Sequence, residues 1–407
     1  MLTNLSGRHS FEYKTDKNVY PTTLWYFSNC QSSTMLLPAI ILLFTALARA
    51  TQARAHLPGP SGPCRVQTTH VELLDSSRVD PFSPTHDKRA IMATSYVPVN
   101  CGHTKFESYL TPHTEAVTDQ LFRLYGMPNG TTIKGLQIES GFESNADTSP
   151  SDKRYPVIIF SPGLTGSRLY YSLILESVAS TGIVVVSVDH PYDASSVEFP
   201  DGSVIYGANL SASDPISLNT RVQDVIFTLD QLHDNPRLIP SSFTGTLELD
   251  KVAIVGHSFG GATAAAAMLN ETRFAGGLNL DGALWGPVVE EGLDRPFINF
   301  GRANITQQGY DSWEKIWPRL RGFKRLLQLS ESVHITFTDF PLIRDASGWP
   351  VNVKQGASEL LGSLSGLRVR AILTEYIVAS ATFFITGEKS KLLDGPSSDY
   401  PEVKYVA

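Results

Sequence analysis

One apolar segment of the sequence runs directly into a glycine-rich turn and then into an alanine-rich segment. Residues 252–256 read VAIVG, residues 256–260 read GHSFG, and residues 260–269 read GGATAAAAML. The first has the composition of a strand buried on both faces, and the last that of a packed helix. Glycines two positions before and after a serine suit a tight strand-to-helix turn, which leaves no room for side chains there. The sequence therefore predicts that Ser258 lies on a sharp turn after a buried strand.

Buried strands and helices alternate along the rest of the chain. Edge strands are predicted in RVQTTHVELL and RAIMATSYVP, further strands over 156–161, 183–189, 274–280, 296–300 and 324–330, and helices over 114–125, 169–182, 216–234, 260–269 and 367–388. Such alternation is typical of a mostly parallel, doubly wound sheet. We expect an α/β fold of the α/β-hydrolase type, with one catalytic domain over residues 56–407. In sheets of this kind ligands bind beyond the carboxyl ends of the strands.

The chain order of residues in that fold restricts the general base that could activate Ser258. In α/β-hydrolases the serine comes first, an Asp or Glu second and the histidine last. The chain has ten histidines, and only His334 lies C-terminal to Ser258. It also follows the predicted strand 324–330 after a short loop. We therefore predict that His334 is the general base.

The acid that orients the histidine must lie between these two residues. Asp281 directly follows the predicted strand 274–280, whereas the other candidates lie in polar or helical sequence. These are Glu290, Glu291, Asp294 and Asp311. We predict that Asp281 fixes the imidazole tautomer while the serine attacks an ester carbonyl. The hydrolysis would then proceed through an acyl-enzyme.

The oxyanion formed by such an attack needs two backbone N–H donors. One is predicted at Phe259, the residue after the serine. The other is predicted at Leu164, in the loop PGLTG that follows the strand 156–161. Pro162 at the start of that loop has no N–H to donate.

The chain resembles the platelet-activating factor acetylhydrolase family, in the single-chain secreted and intracellular branch that includes fungal members. The matching stretches are PVIIFSPGLTGSRLYYSLILESVASTGIVVVSVDH, VAIVGHSFGGAT, LNLDG, SVHITFTDFPL and LLDGPSSDYPEV, within residues 57–403. The resemblance implies calcium-independent hydrolysis of short or oxidised sn-2 acyl chains of phosphocholine lipids. It also implies the same site residues as the argument above. These are Ser258, Asp281 and His334 as catalytic residues, and Leu164 and Phe259 as oxyanion donors. The chain departs from the family at Pro162-Gly163, where relatives often have His-Gly.

Two other functions remain open from the sequence. The stretch VDHPYDASSVEFPDGSV is similar to microbial lipases and polyester hydrolases, so a broad-range carboxylesterase, a lipase or a hydrolase of cutin-like polyesters is one alternative. The other is a non-catalytic α/β-hydrolase-like binding protein. Proteins of that class typically lack the nucleophile or the histidine, and both are present here.

A leader is predicted over residues 1–55. Residues 35–47 read MLLPAIILLFTAL, which is too short to span a bilayer but suits the core of a signal peptide. We expect secretion, with Met35 a candidate for the true start, and a short signal anchor as the alternative. In an oxidising compartment Cys64 and Cys101 would form a disulfide; the alternative is two free buried thiols.

Four sequons agree with export: Asn129, Asn209, Asn270 and Asn304 are candidate glycosylation sites. The formal net charge of −7 argues against nucleic acid as a partner. The sequence has no H-E-x-x-H, paired C-x-x-C or G-x-x-x-x-G-K motif, so we expect neither a metal ion nor a cofactor. The expected partner is a lipid or small ester, with peripheral contact to lipid surfaces. The apolar C-terminal helix is a candidate for that contact, but core packing is the more common explanation for such a helix.

Overall fold

A nine-stranded sheet forms the centre of the protein. The computed structural model describes residues 55–99, 103–143, 153–241, 243–305 and 310–407. Residues 1–54 of the predicted leader, including Met35, lie outside the described residues, and so does Cys101.

The strands lie close to where the sequence predicts them, with five additions, β3, β4, β7, β8 and β13. Their bounds are β1 (Arg65–Val79), β2 (Lys88–Val99), β3 (His103–Ser108), β4 (Gln137–Glu143), β5 (Arg154–Ser161), β6 (Val184–Val188), β7 (Ser196–Glu198), β8 (Val204–Tyr206), β9 (Thr246–His257), β10 (Phe274–Leu280), β11 (Phe297–Gly301), β12 (Lys324–Leu329) and β13 (Val403–Tyr405). The large sheet has the order β1-β2-β6-β5-β9-β10-β11-β12-β13. The pairs β3–β4 and β7–β8 form separate two-stranded sheets.

The middle of the large sheet is parallel and its edges are antiparallel. The strands from β6 to β12 pair in parallel. The pairs β1–β2, β2–β6 and β12–β13 are antiparallel. The prediction of a mostly parallel sheet in an α/β-hydrolase fold is confirmed. Its physical basis is visible in β6, where all five residues are buried because helices cover both faces.

Helices pack on both faces of this sheet. Their bounds are α1 (Pro112–Leu124), α2 (Ser172–Ala179), α3 (Pro215–Asp234), α4 (Phe259–Asn270), α5 (Val288–Glu291), α6 (Asp311–Ile316), α7 (Phe340–Ala346), α8 (Val351–Leu361) and α9 (Gly366–Thr386). One large hydrophobic cluster includes α2 and α9, and the other includes α3 and α4. The helix predicted over 169–182 begins as a 3-10 turn over Arg168–Tyr171 before α2.

Helix α9 is part of the core. With α8 it forms an apolar stretch that has the length and composition of a membrane-spanning helix, yet most of that stretch is buried within the protein. Ile372, Leu373, Tyr376 and Ile377 are almost completely buried. The apolar composition of the C-terminal helix is therefore accounted for by core packing, the more common of the two explanations that the sequence leaves open.

Candidate active site

The turn that carries Ser258 is strained, and its glycines are sterically required. Ser258 has φ 55° and ψ −121°, a conformation that costs a non-glycine residue free energy. A Cβ atom at Gly256 would lie 2.1 Å from the carbonyl oxygen of Gly260, and one at Gly260 would lie 1.9 Å from that of Ser161. The N–H of Ser258 donates to the carbonyl oxygen of Leu280, 2.8 Å away, which fixes the turn to the end of β10.

Three strand ends bring Ser258, His334 and Asp281 together. Ser258 directly follows β9, and its Oγ atom lies 2.8 Å from Nε2 of His334. The Nδ1 atom of His334, in the loop after β12, lies 2.7 Å from Oδ2 of Asp281, which follows β10. An ionised carboxylate can only accept, so Nδ1 carries the proton and Nε2 is free to accept one from the serine hydroxyl. This is the geometry that a nucleophile, a general base and an orienting acid require.

Asp281 is buried and held in its charged form. Its side chain is inaccessible to solvent, and its φ of 52° turns it from β10 toward His334. Arg302 donates to it twice, from the backbone N–H to Oδ1 at 3.0 Å and from Nη1 to Oδ2 at 2.9 Å. Burial opposes ionisation, but the hydrogen bond and charge of His334, together with those of Arg302, outweigh it and lower the pKa of Asp281. The carboxylate therefore stays ionised next to the imidazole.

A hydrogen-bonded chain connects the loop after β5 with the loop that carries His334. His257 donates from Nε2 to the carbonyl oxygen of His334 at 3.0 Å. Its Nδ1 accepts from the hydroxyl of Tyr171 at 2.9 Å, and that hydroxyl accepts the N–H of Gly163 at 3.1 Å. Burial and the adjacent His334 lower the pKa of His257 to about 3, so this imidazole is neutral and its two nitrogens keep distinct roles.

The N–H groups of Leu164 and Phe259 remain without an acceptor among the residues that the structure describes. The other N–H groups of the loop PGLTG, in which Leu164 lies, all have acceptors. Gly163 donates to Tyr171, Thr165 donates to Asp193 at 3.3 Å, and Gly166 donates to the carbonyl oxygen of Gly163 at 3.0 Å. A buried N–H is rarely left unpaired, so these two are available to a ligand.

Ser258 and His334 open into a cavity of about 370 Å³. Its wall is built mainly from α1 and its following loop, the loop after β5, and the segment from His334 to α8. The residues that line it are Thr118, Leu121, Phe122, Tyr125, Met127, Gly163, Leu164, Thr165, Tyr170, Tyr171, His257, Ser258, His334, Ile335, Thr338, Phe340, Leu360 and Leu361. None is an Asp, Glu, Lys or Arg. The cavity therefore suits an uncharged, largely apolar group next to the serine.

The other predicted sites that fall on described residues do not line this cavity. Asn129, Asn209, Asn270 and Asn304 are all exposed. Cys64 is partly buried and directly precedes β1. The neighbouring Arg65 pairs with Val99 near the end of β2. Because Cys101 is outside the described residues, the disulfide stays a prediction.

Sequence reasoning missed three residues of the site. Arg302 directly follows β11, so its position after a strand was a usable signal. His257 lies within the GHSFG motif, but nothing in the motif indicates its partners. Tyr171 carries no signal in the sequence, because its role depends on the fold bringing it beside His257.

Comparison with protein families gives one match that covers half of the chain. The family model for platelet-activating factor acetylhydrolase, isoform II, matches residues 129–199 and 210–347. These ranges contain Ser258, Asp281 and His334.

Individual relatives agree with this match. A protein of Arthroderma benhamiae named probable 1-alkyl-2-acetylglycerophosphocholine esterase is 30% identical over 90% of this chain and 97% of its own length. The platelet-activating factor acetylhydrolase of Cavia porcellus is 31% identical over 46% of this chain and 49% of its own length. Among solved structures, a ferulic acid esterase from Streptomyces cinnamoneus is 29% identical with a TM-score of 0.71, over 87% of this chain and 100% of that one.

Proposed function

Because the chain belongs to the platelet-activating factor acetylhydrolase family of isoform II and is a carboxylic ester hydrolase, we propose that it hydrolyses short sn-2 acyl esters of phosphocholine glycerolipids. The observation that carries the proposal is the Ser258–His334–Asp281 hydrogen-bonded array at the mouth of an uncharged cavity. The substrate class follows the name of the Arthroderma relative, which aligns over nearly its whole length.

In the proposed mechanism His334 takes the proton of Ser258 as the hydroxyl oxygen attacks the ester carbonyl. Asp281 keeps the imidazole in the required tautomer and stabilises the imidazolium. The N–H groups of Leu164 and Phe259 donate to the oxyanion. His334 then protonates the departing alcohol, and a water molecule, activated in the same way, hydrolyses the acyl-enzyme.

The cavity supports a short acyl group. A volume of about 370 Å³ equals that of roughly a dozen water molecules. A short acyl chain with part of the glycerol would fill this space, whereas a long chain would extend beyond it. The absence of charged side chains from the lining agrees with a neutral acyl and glycerol portion, with the phosphocholine outside the cavity.

A broader carboxylesterase is the second candidate, and the aromatic side chains of the cavity favour it. Phe122, Tyr125, Tyr170, Tyr171 and Phe340 all line the wall. The solved structure reported above is named a ferulic acid esterase, and ferulic acid is an aromatic acid. Aromatic walls accommodate flat acyl groups through edge and offset contacts. An aryl ester or a polyester would be preferred in this case.

One set of assays separates these candidates. Wild type and Ser258→Ala are compared on a short-acyl phosphocholine, a long-acyl phosphocholine, a soluble acetyl ester and a feruloyl ester, without added metal. Preference for the short-acyl lipid, lost in Ser258→Ala by roughly 10⁴-fold or more, supports the proposal. Preference for simple or feruloyl esters selects the second candidate. Activity that survives in Ser258→Ala rejects the proposed nucleophile, and inactivity on every ester favours a binding protein.

We also propose peripheral contact with lipid surfaces at the end of α1. Leu124 is 79% exposed and Tyr125 is 63% exposed, and Tyr125 also lines the cavity. Exposed apolar side chains at the mouth of an apolar cavity suit the boundary of a lipid layer. Co-sedimentation with phosphatidylcholine vesicles should fall in Leu124→Gln/Tyr125→Gln, while hydrolysis of the soluble acetyl ester is retained. Equal binding of both proteins would reject this surface.

Secretion, glycosylation and the disulfide remain proposals supported by the leader sequence, the four exposed sequons and the location of Cys64. Expression of the full chain in a eukaryotic host tests them together. We expect active protein in the medium, a mass decrease after glycosidase treatment, and no thiol titration at Cys64 or Cys101 before reduction. Retention in the cell fraction would favour the signal anchor.

A further inference from the structure

Arg221, on α3, is buried against the loop that follows β5. Only 1% of its side chain is exposed. Its Nη1 atom donates to the carbonyl oxygen of Pro162 at 2.7 Å, and its Nη2 atom donates to that of Gly163 at 3.0 Å. A buried guanidinium that binds two successive backbone carbonyls fixes the path of the loop between them.

The second of these carbonyls belongs to the peptide unit that ends in the N–H of Leu164. A peptide is planar and trans, so its N–H points away from its C=O. By holding the oxygen of Gly163, Arg221 sets the direction of the one N–H in the loop that has no acceptor among the described residues. Positive charge at the carbonyl also polarises the peptide and strengthens its N–H as a donor.

The same guanidinium contacts the residue that carries the other donor. Its Cζ atom lies 4.6 Å from the centre of the Phe259 ring. A cation over an aromatic face at this distance is attracted to the ring, and more strongly where water is excluded. Arg221 thus contacts both sides of the proposed oxyanion hole while lining no part of the cavity.

Asp193 holds Arg221 in this position. Nε of Arg221 donates to Oδ2 of Asp193 at 2.7 Å, and Nη2 donates to Oδ1. Oδ1 also accepts the N–H of Thr165 at 3.3 Å. The two buried charges compensate each other, as a buried ion must be compensated to be tolerated.

We propose that Arg221 is a positioning residue for the oxyanion hole, which orients the N–H of Leu164 and the backbone of Phe259 toward the position of the oxyanion. This role rests on the proposed function. Donors that are already fixed in place need no reorganisation as charge develops, so the role is expressed in the transition state and not in substrate binding.

The test compares two inhibitors in Arg221→Lys, which keeps a charge for Asp193 but cannot bind two carbonyls in a fork. One is a trifluoromethyl ketone with the acyl chain of the preferred ester, which adds to Ser258 and forms an oxyanion. The other is the matching ether, which cannot. We expect kcat and ketone affinity to fall by roughly 100-fold, the effect of a small misplacement at a reacting centre, with KM and ether affinity within about twofold of wild type.

Arg89→Lys is the matched control. Arg89 is equally buried, pairs with Asp80 and Asp224, and donates to the carbonyl oxygen of Pro191 at 3.1 Å, outside the loop after β5. It should lose stability but keep kcat and ketone affinity. If Arg221→Lys does not fold, the double variant Arg221→Gln/Asp193→Asn, which leaves no buried charge unpaired, takes its place.

If the ketone affinity of the Arg221 variant is unchanged, or if ketone and ether lose affinity equally, the positioning role of Arg221 is rejected. The proposed function is not affected by either result. If the wild-type protein does not bind the ketone, or Ser258→Ala still hydrolyses the ester, the proposed function itself fails and the role of Arg221 fails with it.

Discussion

Nη1 of Arg302 lies 2.9 Å from Oδ2 of Asp281. That oxygen is also the acceptor of His334, so one carboxylate oxygen is shared between a permanent cation and the imidazole. Arg302 is one-third exposed, which weakens its charge effect without removing it. The carboxylate is therefore partly neutralised before His334 takes up a proton.

Replacing Arg302 by Met should move the acid limb of the kcat/KM profile to higher pH, by less than about one unit. Without the cation, Asp281 stabilises the imidazolium more strongly, and protonated His334 cannot accept the proton of Ser258. Arg302→Lys keeps the charge and should leave the limb close to that of wild type. A shift to lower pH in Arg302→Met would contradict this electrostatic account. The profile is measured on a soluble acetyl ester.

The strained backbone of Ser258 predicts a difference between two inactive variants. Glycine adopts φ 55° at little cost, whereas alanine keeps the strain of the native residue. Ser258→Gly should therefore be more stable than Ser258→Ala by about 1 kcal/mol, although both lose the hydrogen bond to His334. Denaturant unfolding measures the difference. Equal stability of the two variants would show that the turn carries no such strain.

The depressed pKa of His257 predicts loss of stability in acid. Its ordinary value is 6.5 and its value in the folded protein is about 3. Between these values the unfolded chain binds a proton that the folded protein excludes, so stability falls as the pH drops from 6.5 toward 3. At pH 5 this amounts to about 2 kcal/mol.

His257→Gln removes that titration while retaining a donor for the carbonyl of His334. Relative to wild type, its free energy of unfolding should decrease less between pH 7.5 and pH 5. The same comparison with His113→Gln, an exposed histidine, should show no such difference. Parallel pH dependence of His257→Gln and wild type would contradict the assignment.

The cavity wall predicts a variant with altered acyl preference. Phe340 lies with its ring centre 5.0 Å from that of Phe122 and 5.1 Å from that of Tyr170, and all three line the cavity. Phe340→Leu should enlarge this space and raise the ratio of kcat/KM for longer acyl chains over acetyl several-fold, about 1–3 kcal/mol per methylene being the usual range for such pockets.

Phe274→Leu is the control for that substitution. Phe274 is completely buried at the start of β10 and does not line the cavity. It should lose stability by about 1 kcal/mol without a change in acyl preference. If both variants show the same shift, the change in acyl preference results from a general loss of packing in the protein and not from the altered cavity wall.

The sequence was most informative for the site residues that directly follow a strand. The glycines around Ser258 and the position of Asp281 after β10 reflect local backbone requirements, which short stretches of sequence record. The contacts of Arg221 and Tyr171 could not be predicted in this way. Arg221 is 58 residues from Gly163, and the two meet only because α3 packs against the sheet beside β5. Strand β13, with three residues, is too short to show a period.

The cavity wall and the strand ends come from different parts of the chain. The strand ends supply the proposed nucleophile, base and acid, whereas α1 and the segment through α7 and α8 supply much of the wall. The cavity-facing positions within residues 112–127 and 335–361 can therefore change without altering Ser258, Asp281 or His334. In evolutionary terms, selection can change which ester is accepted by acting on these two segments while the chemistry is inherited intact.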